Sequence, residues 1–179
     1  MMQRIAWITV PFGLLIGVGT AQAAPKQLLN KTIAFSYNVQ SVQRDPDGRT
    51  RNINTAINYL WYVSNAGRIF ERASRSPSAG ASQTGQFGPD SASTSKTGEG
   101  HDVHFEGNKL VSLRSFAAGA SRTLVSFDPS FTSCTVSVQQ GKQGGIFKRK
   151  MTDGVIREVL SMSTSGETCS VREGNPFAN

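Results

Sequence analysis

Ile33, Phe35, Tyr37 and Val39 alternate with Ala34, Ser36, Asn38 and Gln40. A period of two puts the apolar set on one face of an extended chain, so this stretch predicts a half-buried β-strand. Asp45-Pro46-Asp47-Gly48 follows it, a sequence suited to a tight turn. A second run then sets Ile57, Tyr59, Trp61 and Val63 on one face. Asn65-Ala66-Gly67 predicts a hairpin turn with Gly67 at positive φ, and residues 68–75 predict the returning strand.

The pattern breaks at residues 76–100, which are rich in Ser, Thr and Gly and carry Phe87 as their one large apolar residue. Such a stretch buries too little apolar surface to offset the entropy of ordering it, and it predicts a mobile surface loop. Alternation resumes over 103–106 and passes through Gly107-Asn108 into 110–117. Gly119 turns the chain into 124–127, and Asp128-Pro129-Ser130 ends that run. Residues 134–138 predict a further strand and 140–145 a loop. Two last strand segments, 155–162 and 169–171, are separated by an expected turn at Ser165-Gly166. About eight strands at hairpin spacing, without helical periodicity, predict an all-β antiparallel sandwich or barrel.

The N-terminus belongs to a different pattern. Arg4 precedes an almost wholly apolar run over 5–18, and Ala21-Gln22-Ala23 offers small residues at the cleavage positions of a secretory signal. The run is shorter than the roughly 20 residues a membrane-spanning helix needs. Residues 1–23 therefore predict a cleaved signal peptide, and 24–179 a single β-rich domain without a transmembrane segment, periplasmic or secreted. Cys134 and Cys169 both lie in that mature part. An even pair in an oxidising compartment predicts one disulfide.

Removing the signal takes one basic residue, Arg4, from a net charge of +7. A basic exported domain is suited to an anionic envelope surface, an acidic glycan or nucleic acid, although moderate charge also serves solubility alone. The basic residues group as Arg44, Arg49 and Arg51; as Arg68, Arg72 and Arg75; and as Lys148, Arg149 and Lys150. Arg68 and Arg72 are expected on one side of their strand and Arg75 on the other. Tyr59, Trp61, Tyr62 and Phe70 offer aromatic surface near these charges. Tyr59 and Trp61 share a face with Ile57 and Val63, which assigns them to the core rather than to a stacking platform.

Ser64-Asn65-Ala66-Gly67-Arg68-Ile69-Phe70, the run from Phe127 through Cys134, and Ser165-Gly166-Glu167-Thr168-Cys169-Ser170-Val171 resemble segments of small exported proteins of Gram-negative bacteria. The resemblance rests on turns, strands and the cysteine pair. It implies a shared fold and a shared disulfide, and it transfers no activity.

Candidate chemistry is sparse. Both histidines of the chain lie in Gly100-His101-Asp102-Val103-His104-Phe105-Glu106. On a strand, Asp102, His104 and Glu106 share one face, with Val103, Phe105 and His101 on the other. A carboxylate, an imidazole and a second carboxylate are a conceivable divalent-metal ligand set, although an ordinary solvated strand face has the same appearance. The sequence has no G-x-S-x-G, no P-loop and no dinucleotide fingerprint, so it nominates no catalytic residue and no cofactor. The leading expectation is a non-enzymatic envelope or extracellular binding domain for an anionic surface or a protein partner. The alternatives are a metal-dependent module centred on Asp102, His104 and Glu106, and a small outer-membrane β-barrel.

Overall fold

In a computed structural model the chain folds as two antiparallel sheets over one shared core. The structure describes residues 23–76, 83–87, 92–94, 100–116, 119–140, 147–151 and 153–178. Of the expected signal segment 1–23, residues 1–22 lie outside them.

Six strands form the first sheet: β1 (Lys31–Arg44), β2 (Thr50–Val63), β3 (Ile69–Ser76), β4 (Gln83–Phe87), β10 (Phe147–Lys150) and β11 (Ile156–Glu173). The second sheet holds β5 (Ala92–Thr94), β6 (Gly100–Glu106), β7 (Lys109–Phe116), β8 (Gly119–Phe127) and β9 (Cys134–Gln140). The orders are β10-β11-β1-β2-β3-β4 and β5-β6-β7-β8-β9, so the second sheet is a plain meander.

The predicted alternation sets which face of each strand is buried. Ile33, Phe35, Tyr37 and Val39 of β1 and Ile57, Tyr59, Trp61 and Val63 of β2 are all buried in the core. Their cross-strand register pairs Ile33 with Trp61 and Phe35 with Tyr59, and the rings of Phe35 and Tyr59 stack at 4.8 Å. Val103, Phe105, Leu110, Val125 and Phe127 supply the opposing face from the second sheet. Leu28 enters the same core from a 3-10 turn, Lys26–Leu28, and Ala24 packs against it. The other face of β1, β2 and β3 exposes Gln40, Asn54, Asn58 and Ser74. Apolar side chains inward and polar ones outward make this a sandwich, with a polarity opposite to that of a lipid-facing barrel.

Cys134 of β9 and Cys169 of β11 form the expected disulfide, and it joins the two sheets. The two predicted hairpin turns are present, with Gly48 at φ 87° and Gly67 at φ 73°.

Several local readings are corrected. Within 76–100, expected as a loop, Ser76 ends β3, Gly100 opens β6, β4 pairs with β3 and β5 pairs with β6; residues 77–82, 88–91 and 95–99 lie outside the described residues. Residues 155–173 are not two segments around a turn, because β11 runs on through Ser165 and Gly166. There Ser36 pairs with Thr168 but Asn38 with Ser165, so Gly166, at φ 67°, and Glu167 form a bulge opposite Tyr37. Residues 148–150, expected only as a basic cluster, belong to edge strand β10. Arg68 sits in the turn before β3 rather than in the strand, with its carbonyl accepting from Ser64 N. The expected set of about eight strands is present as the longer ones, and the short β4, β5 and β10 are additional to it among the described residues.

Candidate functional site

Three groups of polar side chains stand out, and the first was not foreseen as a group. Glu71 is a charged residue at an inward position of β3, only 3% exposed. Trp61 Nε1 donates to its Oε2 at 2.8 Å, and Arg114 Nη2 of β7 donates to its Oε1 at 3.2 Å from the opposite sheet. Burial raises the Glu71 carboxyl above its ordinary range, against the pull of Arg114 and Trp61. His101, on the inner face of β6 as the alternation predicts, completes the group: Nδ1 lies 3.2 Å from Arg114 Nη2 and Nε2 lies 2.9 Å from Ser112 Oγ.

The Ser112–His101 contact has the components of a nucleophile and a base but not their arrangement. A guanidinium only donates, so His101 Nδ1 must accept, and the ring's proton resides on Nε2. Nε2 then donates to Ser112 Oγ and cannot take that hydroxyl's proton. Burial and the neighbouring Arg114 hold the imidazole down to about 3, which keeps it neutral. This group braces the two sheets. The sequence signal was Glu71 at an inward position of its strand, opposite Trp61 in register.

The second group is the strip singled out from sequence. Asp102, His104 and Glu106 do share the outer face of β6, with His104 Nδ1 2.8 Å from Asp102 Oδ2 and Nε2 3.0 Å from Glu106 Oε1. Each carboxylate takes a different ring nitrogen, so the donors flank the imidazole on opposite sides and do not converge on one point. Among the described residues, no group of three His, Cys, Asp or Glu side chains is disposed to hold a metal ion.

The third group is basic, and it brings together what the sequence keeps about 100 residues apart. Arg44, at the end of β1, pairs in register with Glu158 of β11, and Glu158 with Lys148 of β10. Arg44 Nη1 and Lys148 Nζ lie 3.3 and 4.0 Å from the two oxygens of that one carboxylate. The buried Asp45 is likewise shared, between Arg51 and Arg157, with Arg157 Nε at 2.6 Å. Hydrogen bonds from Arg157 and then Arg51 hold its carboxyl below the usual range. Arg49 binds Asp47 at 2.7 Å at the tip of the β1–β2 turn, and Arg157 also binds Asp153. Lys150 is exposed beside Ile156, its register partner. Cations outnumber the acids that bind them, so this end of the first sheet is net positive.

The remaining basic cluster does not join it. Arg68 and Arg75 are exposed at other places on the sheet, and Arg72 stacks over Phe177 at 4.7 Å. Tyr59 and Trp61 are core, as expected, and Tyr62 is buried beside Phe70 and Phe177.

Comparison with protein-family models, curated proteins and solved structures found no match. Of the resemblance to small exported proteins, the all-β fold and the Cys134–Cys169 disulfide are the parts seen in this structure.

Proposed function

We propose that the chain is a non-enzymatic exported binding domain that engages an anionic surface through the basic end of its six-stranded sheet. The observation that carries this reading is the meeting of Arg44 with Lys148 on Glu158, which brings together two basic clusters that lie far apart in the sequence. A disulfide agrees with export to an oxidising compartment. The chemistry of the interior points the same way. Glu71, His101 and Arg114 bond to one another and to Trp61 and Ser112 across the two sheets, which suits a scaffold.

Binding through exposed cations is screened over about 8 Å at physiological ionic strength, so it weakens steeply with salt. Retention of the purified protein on immobilised dextran sulfate and on vesicles with anionic headgroups, at low and at high salt, tests the reading. Salt-reversible retention on either is expected. No retention on either at low salt contradicts it.

A further inference from the structure

Resting on that reading, we infer that the anionic surface is a phospholipid bilayer, and that Ile156 enters it while the surrounding cations hold the headgroups. Ile156 is 57% exposed, the most exposed large apolar side chain among the described residues. It opens β11 opposite Lys150, and the next pair along the same face is Glu158 with Lys148, followed on β1 by Arg44. Three cations and one carboxylate thus surround an apolar side chain on one face at one end of the sheet.

Hydrogen bonds among the described residues tie down the chain just before it. Met151 N donates to Val155 O at 2.9 Å, Gly154 N donates to Met151 O at 3.0 Å, and Val155 N donates to Asp153 Oδ1 at 3.0 Å. The isoleucine is therefore presented without a large ordering cost on contact.

A hydrated polyanionic chain would use the cations and gain little from a protruding isoleucine. A bilayer uses both, since an apolar side chain sinks into the headgroup–acyl boundary while Lys and Arg remain among the phosphates. The aromatic side chains that could stack on a sugar ring, Tyr62, Phe70 and Phe177, gather near the far end of β2, about 40 Å from the basic end at about 3.4 Å per residue.

The test is co-sedimentation of the exported protein, its N-terminus established by intact mass, with phosphatidylglycerol/phosphatidylcholine vesicles and with phosphatidylcholine alone. Retention on dextran sulfate runs in parallel. Wild-type protein should sediment with the anionic vesicles and not with the neutral ones. Ile156→Ser should weaken vesicle binding about tenfold and leave dextran sulfate retention unchanged. Lys148→Gln and Lys150→Gln should each weaken vesicle binding about fivefold, the effect of one basic residue near an anionic leaflet. Vesicle binding unaffected by Ile156→Ser overturns the inference. So does retention on dextran sulfate without vesicle binding, which would leave the proposed function standing. Absence of both removes the two together.

Discussion

The Trp61 indole and the Glu71 carboxylate are cross-strand partners on β2 and β3, joined by a 2.8 Å hydrogen bond inside the core. Through its other oxygen Glu71 reaches Arg114 on the opposite sheet. The sandwich is therefore tied across its layers both by Cys134–Cys169, between β9 and β11, and by Glu71–Arg114, between β3 and β7.

Removing one member of a buried charge pair strands the other, at a cost of about 3–5 kcal/mol. Glu71→Ala should lower unfolding free energy by that amount in urea titrations. Trp61→Phe, which deletes one donor to Glu71, should cost about 1–3 kcal/mol. A Glu71→Ala variant as stable as wild type would mean that the carboxylate does not brace the sheets.

The same group sets an acid sensitivity. His101 titrates near 6.5 when unfolded and at about 3 when folded, so below 6.5 the unfolded chain binds more protons. Its contribution to stability is complete above pH 6.5 and is lost as pH falls towards 3, at about 1.4 kcal/mol per unit. Glu71 acts in the opposite sense, because its folded carboxyl takes up a proton at higher pH than the unfolded one. Asp128, held low by Ser130, Thr132 and Ser133, adds to the loss in acid. Urea midpoints measured from pH 7 to pH 4 should fall, and His101→Gln should flatten the slope between 6.5 and 4. Parallel slopes for the two proteins would contradict this account.

The long strands were legible because each needed only its own alternation. Ile33 to Val39 and Ile57 to Val63 fixed which faces met, and Gly48 and Gly67 marked the turns between them. The short strands were not legible, since β4 and β5 are mostly Ser, Thr, Gly and Gln and owe their conformation to hydrogen bonds with β3 and β6. The outer strip of β6 was legible as a face, while the split of His104 between two carboxylates depends on side-chain torsions that spacing does not specify. The basic end was legible as two separate clusters. Their meeting is a consequence of β11 lying beside β1, a pairing across most of the chain.

Gly166 shows how such a reading goes astray. Ser165-Gly166 has the composition of a turn, yet it forms a bulge because β1 continues to pair on both sides. At φ 67° an added Cβ would also lie 3.0 Å from Asn38 Nδ2. Gly166→Ala should cost about 1–2 kcal/mol, the usual penalty for a side chain in the left-handed region. Thermal melts that leave the midpoint unchanged would argue against the bulge.

The disulfide closes a loop across 35 positions and should contribute about 4 kcal/mol in the chain-entropy model. Denatured, unreduced protein should show no thiol reactive to alkylation, and Cys134→Ser/Cys169→Ser should unfold at a correspondingly lower urea concentration. Two alkylated thiols in the unreduced sample would contradict the pairing.

The proposed binding surface depends on where its cations sit and not on net charge. Two double variants remove the same amount of charge: Arg49→Gln/Lys150→Gln at that end, and Arg68→Gln/Arg75→Gln elsewhere on the sheet. All four side chains are exposed, so neither pair should disturb folding much. The measurement is the salt concentration at which each protein elutes from immobilised dextran sulfate. A clear drop is expected for Arg49→Gln/Lys150→Gln and almost none for Arg68→Gln/Arg75→Gln; equal shifts would mean that the basic end is no binding surface.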